Sequence, residues 1–214
     1  MCFHYALGVE VKALAKRYQA NLENHIDFLP ISHSNAFNYG KMPVVKENNV
    51  IELLNWGLIP NWVKGIENAK KMRTQTLNSK SETVFEKPSF KYSIINKRCL
   101  IPTTGFFEWQ HEETKKIPHF IRLKNSEIFS FAGIWSAWVD KEETGEIIET
   151  FSILTTEANE MMAKIHNTKK RMPVIIDISN ELDWLNPKLN KTQITELMQP
   201  FPLEEMVAEV CEII

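Results

Sequence analysis

Short strand-like runs of apolar residues, broken by polar connectors, recur along this chain, and a helical period shows only in short stretches. Val11, Leu14, Ala15 and Tyr18 recur at three- and four-residue spacing between Val9 and Gln19, which predicts an amphipathic helix. Met42–Val45 and Val50–Leu58 predict two strands about an Asn48–Asn49 turn. A run of further strands follows at Ser93–Ile101, Gly105–Gln110, Pro118–Leu123, Ile128–Trp138 and Glu149–Leu154. Polar connectors at Glu112–Lys115 and Lys141–Gly145 separate some of them. Thr156 is placed to cap a helix over Glu157–Ile165, and Pro173–Ile176 predicts one more short strand. Ser179–Leu185, Thr192–Met198 and Leu203–Val207 predict short helical pieces. Successive strands with peripheral helices, and no alternating β-α units, predict an α+β fold. No repeat, low-complexity segment or Gly/Ser linker interrupts the chain, so residues 1–214 are expected to form one domain.

Composition narrows the class. Hydrophobic content of 43% and charged content of 24% are those of an ordinary soluble globular protein. No apolar run is long enough for a membrane span, and the start of the chain lacks the pattern of a secretory signal. The three cysteines, Cys2, Cys99 and Cys211, form neither a Cys-x-x-Cys pair nor an even framework. A reducing cytoplasm, a free Cys2 thiol and a monomer are the expectation. His4, His25, His33, His111 and His119 show no metal-ligand spacing, so neither a metal nor another cofactor is expected. The net charge of −2 hides an asymmetry: Lys64 to Arg98 carries nine basic residues against three acids, a local balance of +6. From Asp177 onward eight acids face two lysines, a balance of −6. A near-neutral total argues against a general nucleic-acid coat, while leaving room for a local basic groove or simply a solvated face.

Five segments carry candidate chemistry. Removal of Met1 would give Cys2 a free α-amine beside its thiol. The amine, of pKa roughly 8, can condense with an aldehyde to an imine. The thiolate, from a thiol of pKa about 8.5, can then close a thiazolidine ring on the same carbon. The same terminus could serve as an amidohydrolase nucleophile, and taken alone Cys2 is most simply an ordinary second residue. In Gly105-Phe106-Phe107-Glu108-Trp109 a strand would set Phe107 and Trp109 on one face and Glu108 on the other, with Phe106 on the glutamate's side. A glutamate confined there can trade protons near neutrality, although a solvent-facing strand glutamate is commoner. His166 ends a predicted helix ahead of the cationic run Lys169-Lys170-Arg171, suited to acid-base work and phosphate contact or to plain helix capping. Asn78 and Lys80 lie in the basic stretch and supply an amide and a cation two residues apart. Trp56-Gly57-Leu58-Ile59-Pro60-Asn61-Trp62 offers two tryptophans that could stack bases or fill a core.

The order of these pieces is specific. Cys2, then Trp56-Gly57-Leu58-Ile59-Pro60, Leu77-Asn78-Ser79-Lys80-Ser81-Glu82-Thr83, Gly105-Phe106-Phe107-Glu108-Trp109 and Ile165-His166 with Arg171-Met172-Pro173 together resemble the SOS-response-associated-peptidase (SRAP) family. The resemblance runs from residue 2 to about residue 176. It implies a single compact domain with a curved, mainly antiparallel β-sheet core, peripheral helices and a positively charged cleft. It also implies a mature chain that starts at Cys2, binds single-stranded DNA and bonds covalently to the ring-opened aldehyde of an abasic site, shielding the lesion during the DNA damage response. By that resemblance Cys2 is the nucleophile, Asn78 orients the sugar and the Cys2 amine, and Glu108 carries protons near that amine. His166 assists sugar-ring opening and final closure, and also the reverse, lyase-like step. His4, Trp56, Gly57, Lys80 and Arg171 are the expected DNA contacts, and the same site could release Met1 autocatalytically. The chain departs from the family's usual Gly-Arg after Cys2 with Phe3-His4, and holds Lys80 where an arginine is common, losing the bidentate fork. The usual Tyr-Asn-x-Ala-Pro segment is not evident around Ser34–Gly40. Two rivals remain: an N-terminal-nucleophile hydrolase of small amides or peptides, needing an oxyanion hole and no basic groove, and a noncatalytic binding module to which Cys2 is dispensable.

Overall fold

The computed structural model describes residues 2–22 and 27–212; Met1 and His25, named above, lie outside them. In chain order the elements are β1 (His4–Leu7), α1 (Val11–Tyr18), β2 (Asn21–Leu22), β3 (Ile31–Asn35), β4 (Lys41–Lys46) and β5 (Val50–Trp56). Then come α2 (Ile66–Arg73), β6 (Asn78–Lys80), α3 (Lys91–Asn96), β7 (Arg98–Thr103), β8 (Gly105–Glu112), β9 (Lys115–Leu123), β10 (Phe129–Val139) and β11 (Ile147–Glu157). The chain finishes with α4 (Glu160–Ile165), β12 (Arg171–Pro173), β13 (Ile175–Ile176), α5 (Glu181–Leu185), α6 (Lys191–Glu196) and β14 (Met206–Val210).

These strands form two sheets. One has the order β14-β9-β8-β1-β3; the other runs β12-β11-β10-β7-β4-β5-β2, with β6 added beside β11 and β13 beside β10. In the second sheet β11 also pairs β5 in parallel, Thr150 with Asn55 and Phe151 with Trp56, so β5, β4, β7, β10 and β11 close on themselves. Closure removes two edges that would otherwise be open to another chain. Most ladders are antiparallel, and the fold is the α+β architecture expected from the strand pattern. Leu54, Trp56, Ile101, Phe106, Phe131, Phe151 and Ile153 are among the wholly buried side chains of its main core. Close packing leaves some positions no room for a side chain: a Cβ on Gly105 would lie 2.2 Å from the Phe120 ring and 2.9 Å from the Ile121 carbonyl.

The departures from the expected elements are local. Ser93–Ile101 splits into α3 and β7, because Arg98 turns its guanidinium inward to carbonyls of Ile94, Ile95 and Trp184 and closes the helix end. Thr156 is strand, not cap; β11 runs through it and Asn159 caps α4 by accepting from the Met162 N–H at 2.9 Å. Leu203–Val207 is a single 3₁₀ turn followed by β14, whose edge pairing with β9 overrides local helix preference. The acidic final segment packs onto the core. Glu181 accepts two hydrogen bonds from Arg17, at 2.9 and 3.0 Å, and one from Ser130 at 2.6 Å, tying α5 to α1 and β10.

Candidate active site and nucleic-acid interface

The pairing of β1 with β8 builds the site. Tyr5 lies opposite Phe106 and Ala6 opposite Gly105, so the residues ahead of Tyr5 run back along Glu108 and Trp109. Cys2 is fully buried, and its thiol makes a weak hydrogen bond to the His4 carbonyl at 3.9 Å. Burial pushes that thiol far above its ordinary range, and the neighbouring Glu108 carboxylate adds to the effect. Glu108 is itself 5% exposed, and burial pushes its carboxyl up from 4.5 to about 7. A carboxyl with that value exchanges protons at neutral pH. Across the ladder the buried His119 stands opposite Glu108.

His166 arrives from the far end of α4 as its C-cap, its N–H donating to the Met162 carbonyl at 2.7 Å. The next residue holds it there. Asn167 donates through Nδ2 to the His111 carbonyl at 2.8 Å and accepts from the His111 N–H at 3.1 Å, clasping the end of β8. The His166 ring sets Nδ1 2.9 Å from the Arg171 carbonyl and 3.2 Å from the Arg171 backbone nitrogen, so this atom donates to the carbonyl in one tautomer and accepts from the N–H in the other. Burial lowers the imidazole to about 4.

Glu108, Trp109, His166, Phe3 and His4 line one cavity of ≈ 350 Å³, with His111, Lys116, Thr168 and Lys169 also on its wall. His4 is held by its neighbours. Its Nδ1 is 2.8 Å from His33 Nε2, its ring stacks on His33 at 4.9 Å, and Trp109 meets it edge-on at 4.7 Å. Burial, then the His33 charge, lowers it to about 4, so at neutral pH it is an uncharged donor-acceptor where an arginine would be a cation.

Not all expected site residues gather here. Asn78 sits on β6 against β11, opposite Ile153, outside the lining of the cavity. Both polar atoms of its side chain are buried without a hydrogen-bond partner within the protein. Lys80 is exposed at the end of the same strand. Trp56 and Gly57 require correction as DNA contacts. Trp56 is wholly buried, stacked on Phe151 at 5.8 Å with its indole N–H donating to the Leu77 carbonyl at 2.9 Å, so it offers no face to a base. Gly57 is buried at φ 102°, and a Cβ there would come within 3.0 Å of Arg73. Arg171 is committed as well: its fork is bonded to Glu82 at 2.5 and 2.9 Å and to the Thr155 carbonyl at 2.7 Å. The +6 stretch is likewise partly structural, since Arg98 is buried and Arg73 donates to the carbonyls of Tyr39 and Trp56.

Of this segment's two tryptophans the exposed one is Trp62, 53% accessible, beside Lys64 and Lys71 in a second hollow of ≈ 350 Å³; Phe37 and Tyr92 elsewhere are exposed to the same degree. Lys169 belongs to the cationic run that the sequence marked for phosphate contact, whereas His111, Lys116 and Thr168 were not singled out as site residues. The polar connector at Glu112–Lys115 held the signal for two of them, because a hairpin there sets His111 directly opposite Lys116. Among the described residues no cluster of three or more His, Cys, Asp or Glu side chains could hold a metal ion, and no helix is long and apolar enough to cross a membrane.

The family model "SOS response associated peptidase (SRAP)" matches residues 1–212. The chain belongs to the SRAP family. It is 42% identical over 163 residues to the "Abasic site processing protein YoqW" of Bacillus subtilis, covering 75% of this chain and 69% of that one. With the "Abasic site processing protein HMCES" of Gallus gallus it shares 31% identity over 153 residues, 62% of this chain and 44% of that longer protein. Its fold superposes on a crystal structure of a Bacteroides thetaiotaomicron protein with a TM-score of 0.94 at 43% identity, covering 99% and 92% of the two chains. A Bordetella bronchiseptica protein gives 0.85 at 20% identity over 99% of this chain and 100% of that one, a likeness of fold alone. Within this SRAP domain, Glu108 and His166 come from elements 58 positions apart in sequence and meet only because α4 is clasped onto β8.

Proposed function

We propose that this SRAP chain processes abasic sites in single-stranded DNA by forming a thiazolidine between Cys2 and the ring-opened sugar. One observation carries the proposal: Glu108, poised near neutrality by its burial, acts electrostatically on the buried Cys2 thiol and shares the wall of one cavity with His166. The names of the relatives supply the lesion; the geometry supplies the chemistry. With Met1 removed, the Cys2 α-amine attacks the aldehyde carbon, and the carbinolamine loses water to give an imine. Glu108 protonates the departing hydroxyl and takes the thiol proton. The thiolate then adds to the imine carbon, a C–S bond forms, and the nitrogen recovers a proton. The sum is aldehyde plus aminothiol giving thiazolidine and one water. His166, neutral at working pH, accepts the anomeric hydroxyl proton as the bond to the ring oxygen breaks and returns it to that oxygen, leaving aldehyde and alcohol, and the unpaired Asn78 amide orients the sugar.

The strand is held without reading its sequence. Lys116 and Lys169 at the cavity, Lys80 on β6, and Lys64 and Lys71 around Trp62 supply the cations. Trp62 supplies the stacking face in place of Trp56, and His4 contacts the sugar-phosphate as a neutral group. Initial binding should therefore weaken with salt, while the covalent product should survive it.

The test is a denaturing gel of the protein with a single-stranded oligonucleotide bearing one abasic site, with intact mass confirming loss of Met1. A shifted band absent from Cys2→Ala and from undamaged DNA is expected. No band from chain shown to start at Cys2 would refute the proposal and favour amide hydrolysis by the same terminus. The same mass measurement on Glu108→Gln made without aminopeptidase reports whether the site releases its own methionine.

A further inference from the structure

Two half-buried imidazoles are hydrogen-bonded to each other at the wall of the cavity. His4 on β1 stands opposite Asn35 on β3, so His33, two residues earlier, is its diagonal neighbour on the same face of the sheet. The rings stack at 4.9 Å, with His4 Nδ1 2.8 Å from His33 Nε2. Trp109 meets the His4 ring edge-on at 4.7 Å and Phe107 meets the His33 ring at 4.9 Å, which fixes both planes. A neutral imidazole has a single N–H. Two neutral rings joined by one N–H···N bond therefore keep one donor and one acceptor for their outer atoms, His4 Nε2 and His33 Nδ1. A phosphate oxygen only accepts, so it can meet a donor on His4 in just one of the two tautomers. One added proton makes both outer atoms donors and gives the pair a positive charge. A second is excluded, since it would set two cations 2.8 Å apart.

We infer that His4 and His33 form a phosphodiester site that takes up one proton together with its ligand. This rests on the abasic-site reading above and names the pair that grips a backbone phosphate at the cavity. The surroundings suit an anion. Of the other charged and titratable groups on that wall, Lys116 on β9 and Lys169 after α4 are cations, and His111 and His166 are imidazoles. Glu108 is the one carboxyl among its described residues, and Cys2, two residues before His4, is a buried thiol. Without a phosphate, burial and then the His33 charge hold His4 down at about 4, and burial lowers His33 as well. A phosphate against His4 supplies the opposite charge that the free pair lacks, so proton and phosphate strengthen each other's binding by the same factor. An arginine at this position would hold the strand with constant strength. The histidine pair holds it as a neutral donor at high pH and as a cation as pH falls.

Calorimetry of binding to undamaged oligothymidylate, which offers no aldehyde, tests this from pH 5 to 8 in two buffers of different ionisation enthalpy, whose difference counts the protons taken up. Every chain carries Glu108→Gln, so that the carboxyl's own titration is absent, and melting temperature confirms that each is folded. With His4 and His33 in place, uptake should approach one proton per bound strand below neutrality. Affinity should then fall by up to about tenfold per pH unit across that window. His4→Arg should lose that proton and flatten the pH dependence at the tight end, and His4→Gln should lose it and bind weakly throughout. His33→Phe, which keeps a ring against Phe107, should lose most of the uptake and bind more weakly at pH 5.5. Equal uptake in all these chains overturns the assignment, because the proton then goes to another group such as His166. Absence of uptake with both histidines present overturns it too, and either result leaves the crosslink of the chain with Glu108 intact untouched. Paired uptake in a protein that forms no crosslink from Cys2 refutes the abasic-site reading and leaves the phosphodiester site standing.

Discussion

Replacing Glu108 by glutamine should stabilise the protein while disabling it, and the size of the gain should depend on pH. Burial raises this carboxyl from 4.5 to about 7, so the fold prefers it protonated. The folded state then binds more protons than the unfolded chain between those two values, and stability falls as pH rises through that window. Each pH unit of the gap corresponds to about 1.4 kcal/mol. At pH 8 the ionised carboxylate therefore costs the fold about 3 kcal/mol, and at pH 4 almost nothing. Glutamine keeps the shape without the charge. Thermal unfolding of both proteins at pH 4 and pH 8 reads the difference directly. For a chain of this size, about 3 kcal/mol is a rise of roughly 6–12 °C at pH 8. Little change is expected at pH 4. Crosslinking should fall by two orders of magnitude or more, about the contribution of a positioned acid-base group. Equal differences in melting temperature at the two pH values would refute the claim that Glu108 is held near neutrality by its burial.

The two tryptophans of the Trp56–Trp62 segment should separate cleanly. Trp56→Ala removes a wholly buried indole and should cost about 3–5 kcal/mol in denaturant unfolding. Trp62→Ala should leave unfolding unchanged and weaken single-stranded DNA binding by about 1–3 kcal/mol in a fluorescence titration; the reverse pattern would contradict their placement. His4 and His166 should titrate near 4, not near 6.5, in a histidine NMR titration. Both are neutral in the fold and charged in the unfolded chain between those values. Their stabilisation is thus complete above 6.5 and is lost as pH falls toward 4. Arg171→Gln should lower the melting temperature by breaking the fork with Glu82 while changing the salt slope of DNA binding little, whereas Lys169→Gln should reduce that slope by about one.

Much of this fold could be read from its apolar runs. The long strands β8, β10 and β11 identify themselves by runs of apolar, aromatic and β-branched residues and helix α1 by its helical spacing, and the family's ordered motifs named Cys2, Asn78, Glu108 and His166. What could not be read depended on distant partners. β1 and β6 are four and three residues long, with no period to detect, and become strands only because β8 and β11 offer them an edge. Charge misled for the same reason. Arg73, Arg98 and Arg171 are indistinguishable from groove cations along the sequence, yet each turns inward to carbonyls or a carboxylate. Which of two tryptophans six positions apart is buried was likewise hidden, because register decides which one faces Phe151.

Strand β11 pairs Phe151 with Trp56, Ile153 with Asn78 and Glu157 with Arg171, so three of the ordered motifs converge on one later segment. Contacts of such long sequence separation form slowly, since chain entropy is lost before they return any stability. During synthesis the segment around Cys2 therefore leaves the ribosome before the strands and helix that complete the cavity. Until about residue 157 has left the ribosome, β6 and β5 lack the strand that closes them, and until residue 166 follows, Glu108 lacks its histidine. On the chemistry proposed above, a nascent chain would carry its Cys2 without the cavity that completes the site, and only the finished domain would bring the parts together.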